Sequence, residues 1–70
     1  MPKRSIEDLY KLEYDLLRFI IEGEYSEVQR LLDAGANPNT ANELGWSALE
    51  IAKRYHHEQI ITLLRKKGAT

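Results

Sequence analysis

The sequence contains no cysteine, which removes disulfide bonds, a thiolate nucleophile and a cysteine metal site together. That suits a reducing compartment, and a cytoplasmic location is the expectation. No run approaches the roughly 18 consecutive apolar residues that a membrane-crossing helix needs. The start, MPKRSIEDLYKLEYD, places the basic pair Lys3 and Arg4 first, but neither an apolar stretch nor a small-residue cleavage site follows, so it does not read as a secretory signal. A glycine-rich phosphate loop is missing, and so is a G-x-S-x-G elbow; Ser5, Ser26 and Ser47 read as helix caps. These absences leave no basis for an enzyme. Strong net charge is missing too: ten Lys or Arg stand against eleven Asp or Glu, a net of −1. Nucleic-acid domains usually carry a marked positive excess, so the basic set Lys53, Arg54, Arg65, Lys66 and Lys67 is a weak signal for phosphates. No cofactor is implied. His56 and His57 beside Glu58 invite a metal reading, but adjacent residues do not share a helix face and spacing supplies no third ligand, so a turn role is expected.

What is present is a chain of 70 residues, 43% hydrophobic and 30% charged, enough for one small domain that buries only about 60% of its unfolded surface. Its charges segregate. Residues 1 to 45 carry a net −4 and residues 46 to 70 a net +3. This is either a solvated surface whose signs happen to separate or a device for head-to-tail association or a steered partner.

A repeat organises the rest. Gly35-Ala36 returns as Gly68-Ala69, 33 residues later, and the same offset aligns Leu16 with Leu49, Val28 with Ile61 and Leu31 with Leu64. In the second copy, Ser47 caps a helix from Ala48 to Tyr55 that places Leu49 and Ala52 on one face. After a break around His56 and His57, residues Glu58 to Lys67 place Ile60, Ile61, Leu63 and Leu64 at helical spacing, with cations in the last turn and Gly68 as terminator. The first copy repeats the plan: a helix to Glu22, a break at Gly23, a helix from Tyr25 to Ala34 burying Val28, Leu31 and Leu32, and Gly35 as terminator. The fold class is all-α, helix-turn-helix units joined by a polar loop. A single domain covers residues 1 to 70, with its first unit at about 5 to 38 and its second at about 39 to 70.

Upstream, Ser5 precedes a stretch with Glu7 and Asp8 in its first turn, and no glycine or proline intervenes before Gly23. One continuous helix from about Ile6 to Glu22 is therefore predicted. It has two apolar stripes. Leu9, Leu12, Leu16, Phe19 and Ile20 form one, and Tyr10, Tyr14, Leu17 and Ile21 the other. The first serves the core; the second suits an interface.

These residues resemble the ankyrin repeat. The stretch GEYSEVQRLLDAGANPNTANELGWSALEIA is similar to the family's second helix, its β-hairpin-like finger and the start of the next repeat, and the 33-residue period agrees. The resemblance spans about residues 12 to 70 and implies a short solenoid with an extended N-terminal helix. There are departures. The family's Thr-Pro-Leu-His becomes Ser47-Ala48-Leu49-Glu50, losing the histidine that stitches neighbouring loops, and Phe19 and Ile20 stand where the family prefers alanine. Leu32 and Ile60 are matched across the repeat by Arg65 and Glu27, so the polar member of each pair is expected at an outer end, and a complete two-unit stack is the expectation.

The resemblance also implies function. Ankyrin repeats bind proteins along a concave surface of fingers and first helices and generally lack enzymatic activity. Carried onto this chain, that surface comprises Leu17 and Ile21, then Glu50, Lys53 and Arg54, and the finger from Thr40 to Trp46. Leu44 stands where the family commonly has a polar residue. With Trp46 it forms an apolar tip, or Trp46 folds back onto the neighbouring helix. The leading expectation is a small non-enzymatic adaptor or inhibitor that docks another protein, with Tyr10 and Tyr14 adding to the contact surface. The alternative is self-assembly as a homodimer or stack, through the tyrosine stripe or the oppositely charged ends.

Overall fold

The computed structural model describes residues 6–70, with side-chain surroundings from Lys11 onward. Ser5 and the side chains of Glu7, Asp8, Leu9 and Tyr10 lie outside the described residues. Four helices follow one another: α1 (Ile6–Glu22), α2 (Tyr25–Asp33), α3 (Ala48–Arg54) and α4 (Glu58–Lys66). Helix α1 packs on α2 and on α3, α3 on α4, and α2 on α4. Two helical hairpins therefore lie side by side, as the all-α repeat reading requires, and α1 is the continuous 17-residue helix predicted.

One device ends every helix. At the end of α1, Glu24 N–H donates to the Phe19 carbonyl at 2.9 Å and Gly23 N–H to that of Ile20 at 3.1 Å. The same pair of bonds recurs as Ala36 to Leu31 with Gly35 to Leu32, as His57 to Ala52 with His56 to Lys53, and as Ala69 to Leu64 with Gly68 to Arg65. This is the Schellman arrangement, which satisfies the last carbonyls and requires a left-handed residue at its pivot. Three pivots are glycine. The α3 pivot is His56, whose φ is 59°, the one non-glycine residue with positive φ among those described. The break expected at His56 and His57 is thus a tight reversal.

The core holds Leu16, Ile20, Val28, Leu32, Leu49, Ile51, Ile60, Ile61, Leu63 and Leu64, closed by small residues such as Ala48 and Ala52. Phe19, Leu12 and Leu31 are half-buried against it. The departure at Phe19 and Ile20 resolves here. Ile20 is fully buried, whereas Lys53, its counterpart 33 residues on, is exposed. The copies differ in the same sense elsewhere: Leu32 is buried and Arg65 exposed, Ile51 buried and Arg18 exposed, Leu63 buried and Arg30 exposed. Apolar members face the neighbouring unit and polar members face outward, which follows from the cost of burying an unpaired charge.

One polar clip joins the units, and others tie the loop between them to each side. Lys67 Nζ meets Asp33 Oδ1 at 2.8 Å. Asn39, at the root of the loop between units, donates from Nδ2 to the Gly68 carbonyl at 3.3 Å and accepts the Thr70 N–H at 3.0 Å. Glu13 on α1 accepts the Asn37 N–H at 2.7 Å.

Candidate functional site

The loop between the units folds into a finger because Asn42 organises it. Its backbone N–H donates to the Trp46 carbonyl at 2.9 Å, and its side-chain oxygen accepts the N–H groups of both Leu44 and Trp46 at 2.9 Å. An asparagine that mimics a backbone turn in this way commonly closes tight loops. Ala41 and Ser47 form one antiparallel bridge, and Gly45, with φ 85°, supplies the reversal beside Leu44. The finger is thus hairpin-like, with a single bridge pair and no strand among the described residues.

Two residues expected at the finger tip part company. Leu44 is 82% exposed. Trp46 folds back, half-buried against the core, with the Arg54 guanidinium carbon 4.6 Å from its ring centroid. The indole thus joins the finger to α3, and Arg54 covers its outer face.

The finger and α1 enclose a groove of about 740 Å³, lined on the α1 side by Glu13, Tyr14, Leu17 and Ile21 and on the finger side by Asn42, Glu43 and Leu44. A smaller hollow of about 200 Å³ continues it past Ile21 and Leu44 to Trp46, Arg54 and Tyr55. Tyr14 is 69% and Ile21 44% exposed, while Leu17 is partly buried against the core. Tyr14, Leu17 and Ile21 of the second stripe of α1 therefore form one wall of the groove. It is apolar surface that the described residues leave uncovered, and such patches mark sites of interaction.

The remaining expected contact residues are placed differently. Glu50 is exposed on α3, but its carboxylate accepts the Ser47 N–H at 3.0 Å while the Ser47 hydroxyl accepts the Glu50 N–H at 3.1 Å. This is a capping box, a reciprocal closure of the first helical turn. The Ser47 N–H, and then its hydroxyl, hold the Glu50 carboxyl below the ordinary glutamate range. Lys53 is exposed on α3 outside the lining of both hollows. Tyr10 lies with its side chain outside the described residues.

His57 takes a stitching role from an unexpected position. Its Nε2 lies 3.3 Å from the Ile21 carbonyl, its ring stacks on Tyr55 at 6.1 Å between centroids, and it fills the space where a Cβ on Gly23 would sit. The turn after α3 is thereby tied to the end of α1. Across the opposite face, between α2 and α4, lies a hollow of about 510 Å³ bordered by Gln29, Gln59, Thr62 and Lys66 together with Tyr25 and Leu63. Among the described residues no three His, Asp or Glu side chains converge to hold a metal ion, and no helix is long and apolar enough to cross a membrane.

Two helical hairpins in register, each closed by the same terminal device and joined by a finger, define a helical repeat protein. Residues 16–65 match the family of ankyrin repeats (many copies), and the chain belongs to that family. It is 40% identical over 48 residues to the human ankyrin repeat domain-containing protein 40 and 38% identical over 48 residues to the mouse protein of the same name. The matched stretch is 67% of this chain and 13% of each relative. Ankyrin repeats are in general protein–protein interaction modules and typically lack enzymatic activity.

Proposed function

We propose that the chain is a non-enzymatic module that docks a partner protein in the groove between α1 and the finger, acting in the cytoplasm as an adaptor or an inhibitor. The observation that carries this is the joint exposure of Tyr14, Ile21 and Leu44 around one groove. Leu44 in particular is held out by an asparagine-closed turn and is exposed although apolar. Trp46 and Arg54 line the hollow that continues the groove, and aromatic and arginine side chains are those that most often dominate binding energy.

The alternative is a homodimer or a head-to-tail stack. On the outward face of the first unit, charges are paired within their own helices, Arg18 with Glu22 and Arg30 with Glu27. That favours docking of a different protein over stacking through opposite charges.

The test is recruitment by the intact chain and by Leu44→Asp, with light scattering across a concentration series run alongside. Loss of a specific partner with Leu44→Asp, from a chain that scatters as a monomer, supports docking. Unchanged recruitment overturns the groove as the site, and a concentration-dependent dimer broken by Tyr14→Glu overturns docking in favour of self-assembly.

A further inference from the structure

We propose that the occupant of the groove is an amphipathic helix of the partner, laid along α1, with acidic residues at the end that reaches Arg54 and basic residues at the end that reaches Glu13 and Glu43. This rests on the docking reading above and adds the shape, direction and charge of what docks.

Shape follows from the two walls. Tyr14, Leu17 and Ile21 recur at helical spacing over about 10 Å of α1, which matches an apolar stripe of the i, i+4, i+7 kind on a facing helix. An extended peptide would instead need a sheet edge to pair with. The finger offers little of one. Of the seven amide groups from Thr40 to Trp46, those of Thr40, Asn42, Leu44, Gly45 and Trp46 donate within the loop itself, and the finger has one bridge pair. A helix brings its backbone bonds already made and asks of the groove only apolar contact and complementary charge.

Direction follows from the order of charged groups. Glu13 stands at the Tyr14 end of the wall, and Glu43 lines the finger side of the same groove but not the continuing hollow. Arg54 stands beyond Ile21, in the continuing hollow. The cationic group at that end caps the indole of Trp46 without an acidic partner among the ion pairs of the described residues. Arg18, the other cation of the groove, is already paired with Glu22 at 3.3 Å. The groove therefore presents a negative end, an apolar floor and a positive end in sequence. A partner helix matches it in one orientation, and the reversed helix sets like charges against each other.

The experiment uses the intact chain and stapled helical peptides of about 14 residues, a length at which an unstapled helix is marginal in water. Each carries leucines at i, i+4 and i+7. One has a Lys-rich start and a Glu-rich end, a second has the two ends exchanged, and a third has the first sequence interrupted by proline. Binding is read from the emission of Trp46, the single tryptophan, and from the amide resonances of Tyr14, Ile21 and Leu44. Two matching sets of charges favour one of the helical peptides over the other by about two- to fivefold, as expected for exposed pairs. Arg54→Glu should shrink or reverse that preference. Glu43→Lys, which leaves the Trp46 stack untouched, should do the same from the other end. Equal binding of the proline-interrupted peptide, or a charge preference that neither variant moves, overturns the proposal. So does a second copy of the chain occupying the groove, seen as the same resonances moving with protein concentration alone. If no helical peptide binds while recruitment still depends on Leu44, the helix is overturned and the docking reading stands; if recruitment ignores Leu44, the docking reading itself falls.

Discussion

Arg54 lays its guanidinium over the indole of Trp46, eight residues earlier, at 4.6 Å from the ring centroid. The pair joins the finger to the last turn of α3. Arg54→Ala should lower stability by about 0.5–1 kcal/mol, the range for a cation–π contact near the surface. In urea unfolding the midpoint should fall at constant slope, and the tryptophan emission of the folded state should shift to the red as its ring gains water. An unchanged emission maximum would mean that the stack does not persist in solution.

A second relationship makes Gly23 irreplaceable. Its φ is 75°, and a Cβ there would lie 2.7 Å from Cε1 of His57. Gly23→Ala should destabilise by more than the roughly 1–2 kcal/mol that a left-handed conformation costs an ordinary residue. Gly68→Ala, with φ 104° and nothing within 4 Å, should cost only that conformational term. A double-mutant cycle with His57→Ala isolates the clash: the pair should be less damaging than the two single changes added.

His56 invites the opposite experiment. It holds the left-handed pivot that glycine occupies at the other three helix ends. His56→Gly relieves the conformational cost and adds back about 0.5–1 kcal/mol of glycine's backbone entropy. The net expectation is a stabilisation of about 0.5–1 kcal/mol, measured as a higher urea midpoint.

The capping box gives a pH signature. The Ser47 N–H bond lowers the Glu50 pKa in the folded chain, so the unfolded state binds the proton more readily. Glu50 therefore adds stability that is fully present above its unfolded pKa, near 4.3, and is lost as pH falls through its lower folded value. Glu50→Ala should be less stable than the parent at neutral pH, with the gap narrowing below about pH 4. A gap that stays constant with pH would show that the charged form has no special role.

The helices were legible because their punctuation is local. Ser47, Gly23, Gly35 and Gly68 mark ends that any reading of caps would find, and the apolar offset of 33 residues supplied the architecture. Predicted ends at Ala34, Tyr55 and Lys67 overshoot by one residue each, since these are the C-cap positions just before the Schellman donors. Ile51 was not picked out as core although it is buried on α3; its repeat counterpart is Arg18, so the repeat offset does not mark the position as apolar. The site was less legible. Whether Trp46 points out or folds back depends on Arg54, and no spacing rule pairs a loop residue with one on the following helix. Asn42 passed as one polar loop residue among several, although it closes the finger. Glu50 was assigned to the contact surface, although the S-x-x-E pattern of a capping box was there to be seen.

Asn39 ties the root of the finger to the turn after α4, through the Gly68 carbonyl and the Thr70 amide. The finger is therefore a lever whose pivot is shared with the last turn of the second hairpin. Anything that grips or frees residues 68 to 70 changes how stiffly Leu44 is presented about 25 positions upstream in the chain. Stiffness of the finger and order at that distant turn become two readings of one mechanical quantity.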